Sequence, residues 1–319
     1  VLTEGRVLWF YLGLMWFPRL SSFGLHHDDI QISSDLLTPW TTLPAALGLF
    51  LLVLLAWYVR KRAPLIAFGI VWFFVGHMME STVLPLEIAH EHRNYLPLLG
   101  VLLSGVGVFM TGLQPNRTHL AAVERAVLAG GAVALIALTS ITALRAYQFG
   151  EEVRRTQLAV QDHPESAQAQ YEAGSTLARL PGSITADSPL FVRARSHLLM
   201  ANSLNPAFKM GALELIYLSC KTDQLPDPAD TAELARRLRD TPFAPGDRSV
   251  VYILKEMALN GALCLSRKDM DGLFNASMAN TSVTPTVRAM LLSWYADYLW
   301  LREHDLASAI GALRQSLAL

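Results

Sequence analysis

The chain has 319 residues, 52% of them hydrophobic and only 17% charged, against about 25% charged in soluble domains, which excludes an ordinary soluble enzyme. Its net charge of −1 supplies no bulk attraction for nucleic acid, so no nucleic-acid partner is expected. Two cysteines exclude a disulfide scaffold. Residues 1–147 hold 17 of the 53 charged side chains. An apolar half (1–147) is therefore followed by an ordinary polar half (148–319). The first residue is Val1, and the sequence reads as the visible part of a longer polypeptide.

Five membrane segments are predicted in chain order, at 5–20, 43–59, 63–86, 95–113 and 122–146. The first, apolar over 7–17, is stopped by Pro18 and Arg19; it is too short for the roughly 20 residues a spanning helix needs, and reads as the end of a longer helix or a re-entrant piece. The third is interrupted late by His77 and Glu80. These are costly in lipid unless paired or near the surface. Arg60, Lys61 and Arg62 follow the second segment, and Arg117 and Arg125 flank the loop before the fifth. The positive-inside rule makes both loops cytoplasmic. The loops 21–42 and 85–94, and everything after Tyr147, then face outward. The short loops favour a bacterial inner membrane with a periplasmic C-terminal half.

From Gln148 the pattern is helical, without strand-like alternation. Pro164, Pro206, Pro242 and Pro285 recur at intervals of 42, 36 and 43 residues, which suggests paired-helix repeats. Gly174 on one helix, with Ala194, Leu198, Ala201 and Pro206 on and after the next, reproduces tetratricopeptide (TPR) spacing. Small residues let the two helices cross closely, and the proline ends the second. The pair 291–302 and 306–317 resembles the same unit, while the middle repeats are less regular. The predicted fold class is thus all-α: a polytopic membrane helix bundle followed by a TPR-like α-solenoid, whose groove suits a protein partner. Cys220 and Cys264, both predicted on repeat helices, are read as buried free thiols, with a bridge as the alternative.

Chemistry concentrates in two outward loops. One reads Leu25-His26-His27-Asp28-Asp29; the other runs from Glu87 through His90-Glu91-His92-Arg93-Asn94-Tyr95 to Pro97. Together they bring carboxylates, imidazoles and a guanidinium to one face beside a low-dielectric phase. Arginine grips phosphate through two charge-assisted hydrogen bonds, and a carboxylate at such a face can act as acid or base. Polar interfacial loops are also ordinary in membrane proteins. His26, His27, His90 and His92 with Asp28 and Glu91 could hold a divalent ion, but no spacing matches a zinc signature and no metal is expected.

The stretch 6–29, with Arg6-x2-Trp9-x-Tyr11-Leu12, Pro18 and the closing Asp28-Asp29, resembles a luminal-loop region of the transmembrane and tetratricopeptide-repeat-containing (TMTC) O-mannosyltransferases. The stretch 68–99 is similar to them too, most clearly at Glu91, Tyr95, Leu96 and Pro97. In that family an Arg directly follows the Glu; here His92 intervenes and Arg93 comes next. The resemblance implies a glycosyltransferase C-type membrane fold, a polyprenyl-phosphate-linked sugar as donor substrate, no cofactor, and a repeat domain that presents a protein acceptor. It implies Arg93, His92 and Tyr95 at the donor phosphate, and leaves Asp28, Asp29 and Glu91 as the carboxylates to consider for catalysis. The catalytic Asp of that superfamily usually lies in the first outward loop, which is not visible in this sequence. His90-x-His92-Arg93-Asn94-Tyr95-Leu96 also resembles the outward loop of O-antigen ligases and polymerases. A non-catalytic membrane-anchored scaffold docking a periplasmic assembly is the alternative of a different class.

Overall fold

The computed structural model describes residues 2–78, 88–112, 120–182, 185–222 and 224–319, and among them the chain forms fourteen α-helices and no strand. It divides into two compact units, Val1–His163 and Pro164–Leu319.

The first unit holds α1 (Leu2–Trp16), α2 (Thr42–Val59), α3 (Pro64–His77), α4 (Tyr95–Gly112), α5 (Leu120–Phe149) and α6 (Glu152–Asp162). Three stretches are long and apolar enough to cross a membrane: Thr42–Val59, Glu91–Thr111 and Arg125–Phe149; Pro64–His77 is a shorter apolar helix. The rest of the segment predicted at 63–86, with Glu80, lies outside the described residues, as do Glu87 and Arg117. The segment predicted at 5–20 is helical over Leu2–Trp16, about 22 Å at 1.5 Å per residue. Its N-terminal half is stitched to the following loop, where Arg6 donates to the Gln31 carbonyl and the Thr3 hydroxyl accepts from the Ser33 N–H at 3.0 Å.

Helices α3 and α4 pack closely because each presents a glycine where they cross. A Cβ on Gly69 would fall 2.3 Å from the Gly100 carbonyl oxygen, and one on Gly100 would fall 2.4 Å from that of Gly69. Small residues at such crossings give membrane helices dispersion contact where hydrophobic driving force is absent. The core between α1 and this pair is Val7, Tyr11, Leu14, Phe73, Ala89 and Val101. Along α5 no side chain from Arg125 to Phe149 is buried among the described residues. Helix α6, which sequence reading assigned to the polar half, packs against α5 within the first unit. Its Leu158 and Ala159 border the same crevice as Phe23 and Phe149.

The second unit contains α7 (Ala167–Arg179), α8 (Pro189–Leu204), α9 (Lys209–Lys221), α10 (Pro228–Asp240), α11 (Asp247–Leu259), α12 (Arg267–Ala279), α13 (Pro285–Leu301) and α14 (Leu306–Leu317). The even-numbered helices all start on a side-chain cap: Ser188, Asp227, Ser266 and Asp305 each accept a backbone N–H of the first turn, satisfying donors that a helix start leaves orphaned. At the α7–α8 crossing, a Cβ on Gly174 would meet Leu198 Cγ at 2.7 Å and the Ala194 carbonyl at 3.0 Å. Gly174, Ala194 and Leu198, three of the residues singled out by spacing, meet here.

Polar links repeat at nearly one interval along this unit. Arg195 pairs with Asp230, Ser175 and Arg179 with Glu214, Lys209 with Asp247, and Arg267 with Asp305. Each joins residues 35 to 39 apart, near the 36-residue proline interval and shorter than the other two. Asn280 of an Asn-Thr-Ser triplet donates to the Leu238 and Thr241 carbonyls at 2.7 Å each and is buried.

One expectation is corrected. Cys220 and Cys264 form a disulfide with a Cα separation of 5.3 Å, within the range a bridge requires. Only Cys220 lies on a helix; Cys264 sits in the exposed loop after α11. The α9–α11 packing brings them together, which periodicity alone does not reveal.

Candidate functional site

Three segments of the first unit converge: the loop after α1, the short 3₁₀ turn Glu91–Asn94 leading into α4, and the end of α6. Glu91 is the clasp between the two loops. Its Oε1 accepts the Gly24 N–H at 2.7 Å and lies 3.2 Å from His27 Nε2. Tyr11, 1% exposed on α1, pins the second loop from below. Its hydroxyl accepts the His90 N–H at 2.7 Å and lies within hydrogen-bond reach of Arg93.

Asp29 reaches across 134 residues to His163, just past the end of α6, with Oδ2 2.7 Å from Nδ1. Burial opposes ionisation of Asp29, but the His163 hydrogen bond and charge outweigh it and hold the carboxyl below its usual range. The same hydrogen bond raises His163 above the ordinary histidine value, against the burial that would lower it. Each partner thus favours the other's charged form. The His27 and His163 rings meet edge-on with centroids 5.4 Å apart.

The remaining predicted residues lie close by. Asp28 and His92 are exposed, Arg93 is half-buried, and Tyr95 is 88% exposed as the first residue of α4. The fold therefore brings together Asp29, Glu91 and His27, while Asp28, His92 and Tyr95 are exposed. His90 and His92 are neighbours, with ring centroids 5.1 Å apart. His77 is 2% exposed and stacks on Tyr11 at 5.3 Å, with Phe73 edge-on to it at 4.8 Å. It belongs to the support under the loops.

His163 was not legible as a site residue. It lies in a polar stretch with no motif around it, and only the path of α5 and α6 returns it to Asp29. Tyr11 had a weak signal, as a polar-tipped aromatic in an apolar run.

Beside these loops, Arg6, Val7, Phe10, Ile30 and Pro44 line an apolar cleft of about 500 Å³ between the starts of α1 and α2. Comparison with protein-family models, curated proteins and solved structures found no match.

Proposed function

We propose that this chain is a multi-pass membrane glycosyltransferase that moves a sugar from a polyprenyl-phosphate donor to a protein hydroxyl on the periplasmic face of a bacterial inner membrane. The observation that carries the reading is the convergence of both polar loops and the α5–α6 exit at one end of the apolar helices, clasped by Glu91 and by the Asp29–His163 pair. A lipid-linked donor needs such a polar site at the rim of an apolar bundle. The cleft beside it, with largely apolar walls, suits a prenyl chain.

In this reading the acceptor hydroxyl attacks the anomeric carbon. Its proton passes to a carboxylate, for which exposed Asp28 is the group presented to solvent, and the C–O bond to the lipid phosphate breaks. Arg93, with His92 and Tyr95 nearby, neutralises the charge on the departing phosphate. Glu91 and Asp29 act as positioning residues through the contacts above.

The second unit is read as a TPR-like domain that binds the protein acceptor. The Gly174–Leu198 crossing and the polar links 35 to 39 residues apart support that reading. The Cys220–Cys264 bridge supports an oxidising compartment for this unit.

The test is transfer from a polyprenyl-phosphate sugar to membrane or periplasmic proteins by the full chain in liposomes. Arg93→Ala abolishes transfer while the far-ultraviolet dichroism is kept; full activity in that variant refutes the mechanism. A stoichiometric protein partner with no transfer at all supports the anchored-scaffold alternative, and transfer onto a glycolipid instead supports the O-antigen ligase class.

A further inference from the structure

The His27–Asp29–His163 cluster carries more than an ion pair. One ligating atom from each of the three side chains lies within 4.8 Å of the others. Two imidazoles and a carboxylate are a preferred donor set for zinc. His27 is buried, with 2% side-chain exposure, and His163 and Asp29 are at 13% and 23%. Water therefore competes weakly for these groups.

A second observation points to a ligand. His163 already satisfies Nδ1 on Asp29, yet its Nε2 is buried with no hydrogen-bond partner among the described residues. A buried polar atom left unsatisfied costs free energy, and a metal bond to that nitrogen removes the cost. The surroundings also suit a metal. Glu91 Oε1 sits 3.2 Å from His27 Nε2, a carboxylate positioned to orient a liganding imidazole. Beside His163, Gly24 leaves room that a side chain would fill, since its Cβ would fall 3.2 Å from His163 Nε2.

We propose that His27, Asp29 and His163 form a binding site for one divalent transition-metal ion, zinc by donor preference. Zinc bonds of about 2.0–2.2 Å place ligand atoms roughly 3.3 Å apart. Rotation of three side chains, with the Asp29–His163 hydrogen bond giving way, closes the cluster to that spacing. The ion ties the loop after α1 to the end of α6, and through Glu91 to the turn before α4. The inference does not depend on sugar transfer; it concerns how this end of the first unit is held.

The full chain, purified in detergent and stripped with chelator, is titrated with Zn2+ against a chromogenic competitor and separately with Co2+. The expected result is one tight Zn2+ per chain, a four-coordinate cobalt absorption band, and a zinc-dependent rise in Tm. His163→Gln and His27→Gln weaken zinc binding by more than about 100-fold, and Glu91→Gln by about 10- to 100-fold, the range for a ligand-orienting carboxylate. Helical dichroism checks that each variant is folded. Absence of both zinc binding and the cobalt band in the wild-type chain overturns the proposal without any variant. So does unchanged affinity in His163→Gln combined with its loss in His92→Ala, which places the metal on the second loop. Because these readouts are metal affinity and spectra, a chain that binds zinc but transfers no sugar refutes only the transferase reading.

Discussion

Replacing Gly174 by alanine tests how the first helix pair of the second unit is built. At an exposed helix position this change stabilises by about 1 kcal/mol, because alanine loses less backbone freedom on folding. Here the new methyl would fall 2.7 Å from Leu198 Cγ and 3.0 Å from the Ala194 carbonyl. The carbonyl is backbone and cannot swing aside, so α7 and α8 must separate. Overpacking of this kind costs about 1–3 kcal/mol, leaving Gly174→Ala between neutral and about 2 kcal/mol destabilising. Leu198 is fully buried, and Leu198→Ala costs about 3–5 kcal/mol. The two changes are coupled, because the methyl at 174 enters the space that Leu198 vacates. The double variant should therefore be more stable than the sum by at least about 0.5 kcal/mol. Hydrogen exchange of the full chain in detergent reads this locally over α7 and α8. Leu198→Ala should lower protection there about 100-fold or more, and the double variant should recover at least about twofold relative to additivity. Raised protection in Gly174→Ala, or strict additivity, refutes a crossing set by the absence of a side chain at 174.

The buried ion pair offers a second contrast. Lys209, with its side chain 1% exposed, places Nζ 2.7 Å from Asp247 Oδ2; Asp247→Ala strands that cation and should cost about 3–5 kcal/mol, whereas replacing both charges together, as Lys209→Met with Asp247→Leu, should cost much less, both read from denaturant midpoints. Glu233 is held down to about 2 by its Arg236 hydrogen bond, despite the burial that opposes it, with Arg237 adding to the effect. A depressed folded-state value stabilises above the ordinary glutamate value of 4.5 and loses that contribution as pH falls toward about 2. The stability gap between wild type and Glu233→Gln should therefore be full at pH 7 and close below pH 4.5; a gap that widens in acid contradicts the assignment. Cys264→Ser opens a bridge across 44 residues, and the chain-entropy relation puts the loss at up to about 4 kcal/mol, measured as a fall in Tm that reductant reproduces in the wild type. An unchanged Tm in both refutes the bridge.

Much of this molecule was written in one dimension. Runs of apolar residues mark α2, α4 and α5 because a helix buried in lipid must be apolar on every face, and that requirement is local. The Gly174-Ala194-Leu198 spacing was legible because helix crossings of neighbouring segments repeat at short range. The clustering of His27, Asp29, Glu91 and Arg93 in two polar loops was visible for the same reason. Three things were decided only by the tertiary path. The first apolar run is tied to its own loop, because Arg6 and Thr3 meet partners at 31 and 33. Cys220 met Cys264 because α9 packs on α11. Asp29 met His163, 134 residues away, because α5 returns to the end where both loops lie and α6 folds back against it. No local pattern encodes a contact at that distance. It arises where the geometry of the intervening helices closes, and there two residues with no shared motif become one site.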